Sequence, residues 1–111
     1  MLTRAQVLAE LRRTLEPDPL VRTVWLGGSD ANARTDDLSD IDLLLIVEPG
    51  FIETVAARIE HTLDTLSPIS IRHRLPLPTW HGFHQAFYQL RDAPEHLMID
   101  WVMMELSLIH I

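Results

Sequence analysis

The feature that most constrains the fold is the segment 41–47, Ile-Asp-Leu-Leu-Leu-Ile-Val, in which every residue except Asp42 is apolar. A short, continuous apolar run is typical of a strand in the middle of a sheet that is covered on both faces. Asp40 and Asp42 do not suit the start of such a strand. An ionised carboxylate at the border of a core is unfavourable unless it is paired or bound to a metal ion. The segment therefore predicts a central strand with a functional site at its beginning.

Helix and strand signals alternate around this strand. Apolar spacing predicts helices over 3–16 and about 52–66, and Thr3 with Gln6 fits a capping box at the start of the first helix. The remaining strand-like segments are 21–26, 69–75, 84–90 and 97–105, with the last two forming a hairpin through 91–96. This order predicts an α/β (α+β) domain in which a mixed β-sheet is flanked by helices.

Composition excludes several classes of chemistry. The length of 111 residues suits one domain, 1–111. Cysteine is absent and all nine basic residues are arginine, which excludes thiolate nucleophiles, cysteine-ligated zinc and lysine-based chemistry. The net charge of −7 argues against binding of a nucleic-acid backbone, but it is compatible with a nucleotide held through metal ions. No apolar run approaches the ~18 residues of a membrane span, and no signal peptide is recognisable. We therefore expect a cytoplasmic protein without membrane contact.

The carboxylates of the central strand have a spacing that suits metal binding. Asp40 and Asp42 are two residues apart, so their side chains point to one face, with Cα atoms about 6.5–7 Å apart. Oxygen ligands of this kind suit Mg²⁺ or Mn²⁺. Asp100, in Met-Ile-Asp-Trp-Val, lies on an otherwise apolar strand face. If its strand neighbours 41–47, Asp100 would meet the other two and complete the site.

A glycine turn precedes the Asp pair. Gly27 and Gly28 allow a tight turn and close approach of a ligand to the backbone. The exposed N–H groups of such a turn, with the Ser29 hydroxyl, suit phosphate oxygens. A nucleoside triphosphate could then bridge the turn and the carboxylates through metal ions.

Together these residues form a recognisable pattern: Gly-Gly-Ser, ten intervening residues, Asp-Ile-Asp on an apolar strand, and a later Asp within an apolar strand. This pattern resembles the DNA polymerase β-type nucleotidyltransferase superfamily, and more narrowly its small bacterial members, the aminoglycoside-nucleotidyltransferase-like and minimal nucleotidyltransferase domains. The resemblance covers about 20–105, the expected catalytic core.

The resemblance implies two sets of site residues. The set that binds the triphosphate is Gly27, Gly28 and Ser29. The set that binds two Mg²⁺ ions, with Mn²⁺ as an alternative, is Asp40, Asp42 and Asp100. Asp100 would also help to deprotonate the acceptor hydroxyl.

The implied activity is transfer of a nucleoside monophosphate, with AMP from ATP expected, to a hydroxyl of a small molecule or protein, with release of pyrophosphate. One alternative is an antitoxin-like minimal nucleotidyltransferase that binds a helical toxin protein. Another is an inactive fragment of a longer enzyme, since relatives carry a helical region after the core. The apolar ending at 106–111 makes these residues a doubtful part of the domain.

Several other polar residues have two interpretations. Arg72 and Arg74 on a strand, and Arg34 in the loop before Asp40, are expected at the surface, with contact to phosphate or acceptor left open. The histidines lack the His-Glu-x-x-His spacing of a zinc site and are expected to be structural or exposed.

Overall fold

The fold is described here from a computed structural model, over residues 1–26, 40–75 and 83–106. These residues form helices and strands in the order α1 Arg4–Leu15, β1 Val21–Leu26, β2 Ile41–Val47, α2 Ile52–Leu66, β3 Ile69–Arg74, β4 His84–Leu90 and β5 Ile99–Glu105. The predicted elements are confirmed, with bounds that differ by at most two residues. Neither of the helices within these described residues is long and apolar enough to cross a membrane.

The strands form one mixed sheet in the order β1-β2-β5-β4-β3. β2 and β5 are parallel neighbours, whereas the other pairs are antiparallel. β4 and β5 are joined by the predicted hairpin. The parallel pair lies inside the sheet, where neighbouring strands cover both of its edges, and it carries the candidate carboxylates.

Both helices pack on one face of the sheet. At the start of α1, the Thr3 hydroxyl accepts a hydrogen bond from the Gln6 N–H at 3.2 Å and the Gln6 side chain accepts one from the Thr3 N–H at 2.9 Å, as predicted for a capping box. The apolar side chains that the helices bury in the core are Val7, Leu11, Leu15, Ile52, Val55, Ala56, Ile59 and Leu63. They meet alternate residues of the central strands, since successive side chains of a strand point to opposite faces.

The face of the sheet opposite the helices is less covered than the apolar sequence of β2 predicts. Ile41, Leu43 and Leu45 are fully or almost fully buried under the helices, whereas Leu44 and Ile46 are half-buried on the other face. Within the described part of the chain, β2 is therefore central but has helices on one face alone. We call the helix-free side of the sheet the open face.

A buried polar network joins β4 and β5 to α2 beneath the sheet. The Trp101 indole N–H donates to the Tyr88 hydroxyl at 3.0 Å, and this hydroxyl donates to a Glu60 carboxylate oxygen at 2.9 Å. Burial raises the pKa of Tyr88 above its ordinary value, so the hydroxyl remains a donor. The Arg74 guanidinium lies 5.0 Å from the centre of the Trp101 ring. These contacts hold Trp101, the residue that follows Asp100, in place on β5.

Replacement of Tyr88 by phenylalanine should lower the free energy of unfolding by about 1–3 kcal/mol, because the Trp101 N–H and the Glu60 carboxylate lose their common partner. Urea unfolding followed by circular dichroism measures this change. Ser70→Ala is the matched control, since it removes a hydroxyl that donates to the Gln89 carbonyl on the exposed part of β3. It should change stability by no more than about 0.5 kcal/mol. Equal effects of the two variants would contradict a stabilising role of the network.

Candidate functional site

The centre of the candidate site is a pair of carboxylates on adjacent strands. Because β2 and β5 are parallel, their register places Asp42 directly opposite Asp100. Both side chains are half-buried and lie on the open face, between buried neighbours that point to the helices. Adjacent strands are only about 4.8 Å apart, so the two carboxylates are close neighbours. Of the three predicted carboxylates, the strand register therefore brings Asp42 and Asp100 directly opposite each other.

The charges of this pair are unfavourable for each other. The pKa of Asp100 is raised to about 6, first by burial of the carboxyl and then by its repulsion from Asp42 and a hydrogen bond with it. Repulsion from Asp40 adds to the effect. Asp100 therefore holds a proton more readily than an ordinary aspartate and can exchange it near neutral pH.

Asp40 lies at the edge of this pair in a different environment. Its side chain is exposed, and its Oδ1 accepts a hydrogen bond from the Met98 N–H at 3.2 Å. The neighbouring Ile41 N–H donates to the Met98 carbonyl at 2.9 Å. The Arg4 guanidinium approaches the Asp40 carbonyl at 3.5 Å, the long limit of a hydrogen bond. These contacts align the start of β2 with the segment that leads into β5.

The arrangement of the carboxylates suits a hard cation bound by two of them better than a cation bound by all three. Among residues 1–26, 40–75 and 83–106, no group of three or more His, Cys, Asp or Glu side chains is arranged to hold a metal ion. Asp42 and Asp100 nevertheless present adjacent carboxylate oxygens whose mutual repulsion a cation would relieve. Mg²⁺ is commonly bound by one or two carboxylates together with substrate phosphates. The residues present therefore fit such an ion.

The predicted phosphate-binding turn, Gly27, Gly28 and Ser29, lies outside the described residues, as does Arg34. The nearest described residue is Leu26, at the end of β1. Leu26 pairs with Leu43, the residue after Asp42.

The two strand arginines lie on the helix face of the sheet, away from the carboxylate pair. Arg74 forms an ion pair with Glu53 of α2 at 2.6 Å, and Arg72 approaches Glu60 at 3.5 Å. Both arginines therefore interact with α2, and Arg72 is exposed as expected whereas Arg74 is half-buried.

Two residues that sequence reasoning did not select lie beside the carboxylates. Phe87 of β4 is opposite Asp100, and His73 of β3 is opposite Phe87. Directly opposed residues share a face, so Asp42, Asp100, Phe87 and His73 form one row across the open face, which we call the carboxylate–aromatic row. The alternation of side chains along β3 and β4 indicates which residues of one strand share a face. It does not specify which residues of neighbouring strands are opposite each other.

Two clefts in the described part of the chain lie elsewhere. One of about 390 Å³ runs between α1 and β1, lined mainly by apolar side chains, and the other, of about 640 Å³, lies between the outer surfaces of α1 and α2. Neither is lined by Asp42 or Asp100. The carboxylates are the candidate site because a partly buried, perturbed charge is a better sign of a functional site than cleft volume.

Comparison with known proteins shows the fold. No protein-family model and no curated protein matches the chain. A solved structure entitled "structure of GLD-2/RNP-8 complex" is similar, with a TM-score of 0.51 and 14% sequence identity over 90% of this chain. The chain spans 37% of the length of that structure's chain. The five-stranded mixed sheet with its two helices is therefore a nucleotidyltransferase-like fold.

The raised pKa of Asp100 predicts a pH-dependent stability. The folded value of about 6 lies above the ordinary 3.8, so between these values the folded state binds a proton that the unfolded chain has released. The destabilisation caused by the ionised Asp100 carboxylate is absent below about pH 4 and complete above about pH 6. The free energy of unfolding therefore falls as pH rises through this window. We expect Asp100→Asn to be more stable than the wild type at pH 7.5, by on the order of 1–3 kcal/mol, and similar at pH 4.

Urea unfolding at both pH values, without divalent cations, measures this difference. Asp64→Asn, at an exposed position of α2, is the charge-matched control and should follow the wild type at both pH values. A lower stability of Asp100→Asn at pH 7.5 would contradict the repulsion inferred at the site.

Proposed function

We propose that the protein is a cytoplasmic, Mg²⁺-dependent nucleotidyltransferase that transfers AMP from ATP to a hydroxyl acceptor and releases pyrophosphate. The observation that carries the proposal is the placement of Asp42 opposite Asp100 on adjacent parallel strands of a nucleotidyltransferase-like fold. The nucleotidyltransferase-like fold supports the general kind of reaction. The metal, the nucleotide and the acceptor are the proposed parts.

The carboxylates have distinct roles in this proposal. Asp42 and Asp100 would hold the cation, and Asp40, whose Oδ1 accepts a hydrogen bond from the Met98 N–H, is the proposed third ligand. Mn²⁺ is an alternative ion, and two ions are expected from the resemblance. A bound divalent cation would neutralise phosphate charge and polarise the reacting oxygens.

The turn at 27–29 is proposed to hold the triphosphate. The described residue that precedes it, Leu26, is paired with β2 beside Asp42. The phosphate tail would therefore approach the carboxylates from the β1 side of the sheet. Gly27, Gly28 and Ser29 would bind it through backbone N–H groups and a hydroxyl.

The proposed reaction forms one bond at the α-phosphorus and breaks another. A new bond forms between the acceptor oxygen and the α-phosphorus, and the bond between this phosphorus and the oxygen bridging to the β-phosphorus breaks. Asp100 accepts the proton of the acceptor hydroxyl, which then passes to solvent, and pyrophosphate leaves. The position of Asp100 within the carboxylate pair supports this assignment, since a general base must lie within reach of the hydroxyl that it deprotonates.

A second candidate function is binding of a protein partner, such as a helical toxin protein. It is favoured by apolar side chains on the open face, where Trp25 is 53% exposed and Ile71 is 46% exposed. Trp25 is followed across the sheet by half-buried Leu44 and Val102, and a continuous exposed apolar area is typical of an interaction surface. A binding module would retain its partner when Asp42 and Asp100 are replaced, whereas nucleotide transfer would be lost.

Calorimetric titration of ATP, with and without Mg²⁺, tests the proposed function. The wild type should bind ATP only with Mg²⁺, and Asp42→Asn and Asp100→Asn should each weaken binding by about tenfold or more, because each removes an anionic oxygen ligand. Asp64→Asn retains the same net charge as these variants and should bind as the wild type does. Folding of each variant is checked by circular dichroism.

Two results would contradict the proposal. One is a folded wild type that shows no Mg²⁺-dependent binding. The other is an equal loss of affinity in Asp64→Asn, which would show that net charge rather than the carboxylate pair determines binding.

A further inference from the structure

The carboxylate–aromatic row continues past Asp100 in the direction away from β1. Phe87 is directly opposite Asp100 on β4, and His73 is opposite Phe87 on β3. The two rings are in contact, with centroids 4.9 Å apart and planes tilted by 35°. Phe87 is half-buried and His73 is exposed, so the pair presents ring surface to solvent.

The position of this ring pair determines what could use it. In-line displacement at phosphorus requires the entering oxygen and the leaving pyrophosphate to lie on opposite sides. Under the proposed function the triphosphate tail enters from the β1 side, where Leu26 pairs with β2, and the acceptor would then approach Asp100 from the β4 side. Phe87 and His73 occupy that side.

The charges of the open face restrict the acceptor further. Asp42 and Asp100 lie in the row and Asp40 lies beside it, directly before β2, so the acceptor would approach a negatively charged surface. The basic side chains of β3, Arg72 and Arg74, are on the helix face in contact with glutamates of α2. A neutral or cationic acceptor is therefore favoured over a phosphorylated one.

We propose that Phe87 and His73 form a ring-binding platform that positions the acceptor, and that the acceptor is a small, neutral or cationic hydroxyl compound with an aromatic ring. The inference rests on the proposed function for the direction of approach. Aromatic rings stack against each other in offset or tilted arrangements with favourable energy beyond the area that they bury. Phe87 supplies the ring face nearest to Asp100, and His73 extends it.

Tyramine, which combines an aromatic ring, a hydroxyl group and a positive charge, is a suitable probe. Its dissociation constant is measured by NMR titration of the wild type, with and without Mg²⁺ and a non-hydrolysable ATP analogue. We expect its ring-saturated counterpart, 4-(2-aminoethyl)cyclohexanol, to bind more weakly. Phe87→Leu and His73→Ala should weaken tyramine binding about three- to tenfold, because each removes a stacking partner.

Two further variants act as controls. Phe87→Tyr retains the ring and should bind tyramine like the wild type. Phe51→Leu changes an exposed phenylalanine that directly precedes α2, and it should have no effect on binding. If Phe87→Leu does not fold, the exposed His73→Ala still tests the platform.

Each outcome of this experiment supports or overturns the inference. It is overturned if wild-type tyramine binding is absent at millimolar concentration, equals that of the saturated compound, or is unchanged in both Phe87→Leu and His73→Ala. Displacement of tyramine by the ATP analogue would also overturn it, because the platform would then belong to the nucleotide. Ring-dependent tyramine binding without Mg²⁺-dependent nucleotide binding would support the platform while the proposed function fails.

Discussion

The constraint on which the rest of the site depends is the partial burial of Asp100 directly opposite a second carboxylate, Asp42. Two carboxylates held opposite each other on adjacent strands destabilise the free protein, and they stay together only because the surrounding structure fixes β2 beside β5. That structure is the packed helix face of the sheet and the hydrogen bonds from Trp101 through Tyr88 to α2. A cation between the carboxylates would turn the same arrangement from a cost into a favourable contact.

Much of this architecture could be predicted from the sequence because local patterns determine it. The run of apolar residues at 41–47 marked β2, and Thr3 with Gln6 marked the start of α1 through reciprocal hydrogen bonds that involve neighbours in the chain. Asp100 was identifiable because a single charged residue interrupted an apolar strand face. Each of these signals depends on residues within a few positions of one another.

The remaining features depend on how distant strands pair. A shift of one residue in register would move Asp100 to the helix face, and sequence alternation does not specify the register. The position of Phe87 beside Asp100, and the one-sided cover of β2 in the described part of the chain, follow from the strand order β1-β2-β5-β4-β3. The exposed position of Asp40, which separates it from the half-buried pair, likewise depends on its contact with Met98.

The most direct test of this account is the free energy of unfolding at pH 7.5 as a function of Mn²⁺ concentration, for the wild type and for the double variant Asp42→Asn/Asp100→Asn. A ligand that binds only the folded state stabilises it in proportion to the logarithm of its concentration. The account predicts that Mn²⁺ at about ten times its dissociation constant stabilises the wild type by about 1.4 kcal/mol and leaves the double variant unchanged. Equal stabilisation of both proteins, or none of the wild type, would contradict the assignment of the carboxylate pair as a cation site.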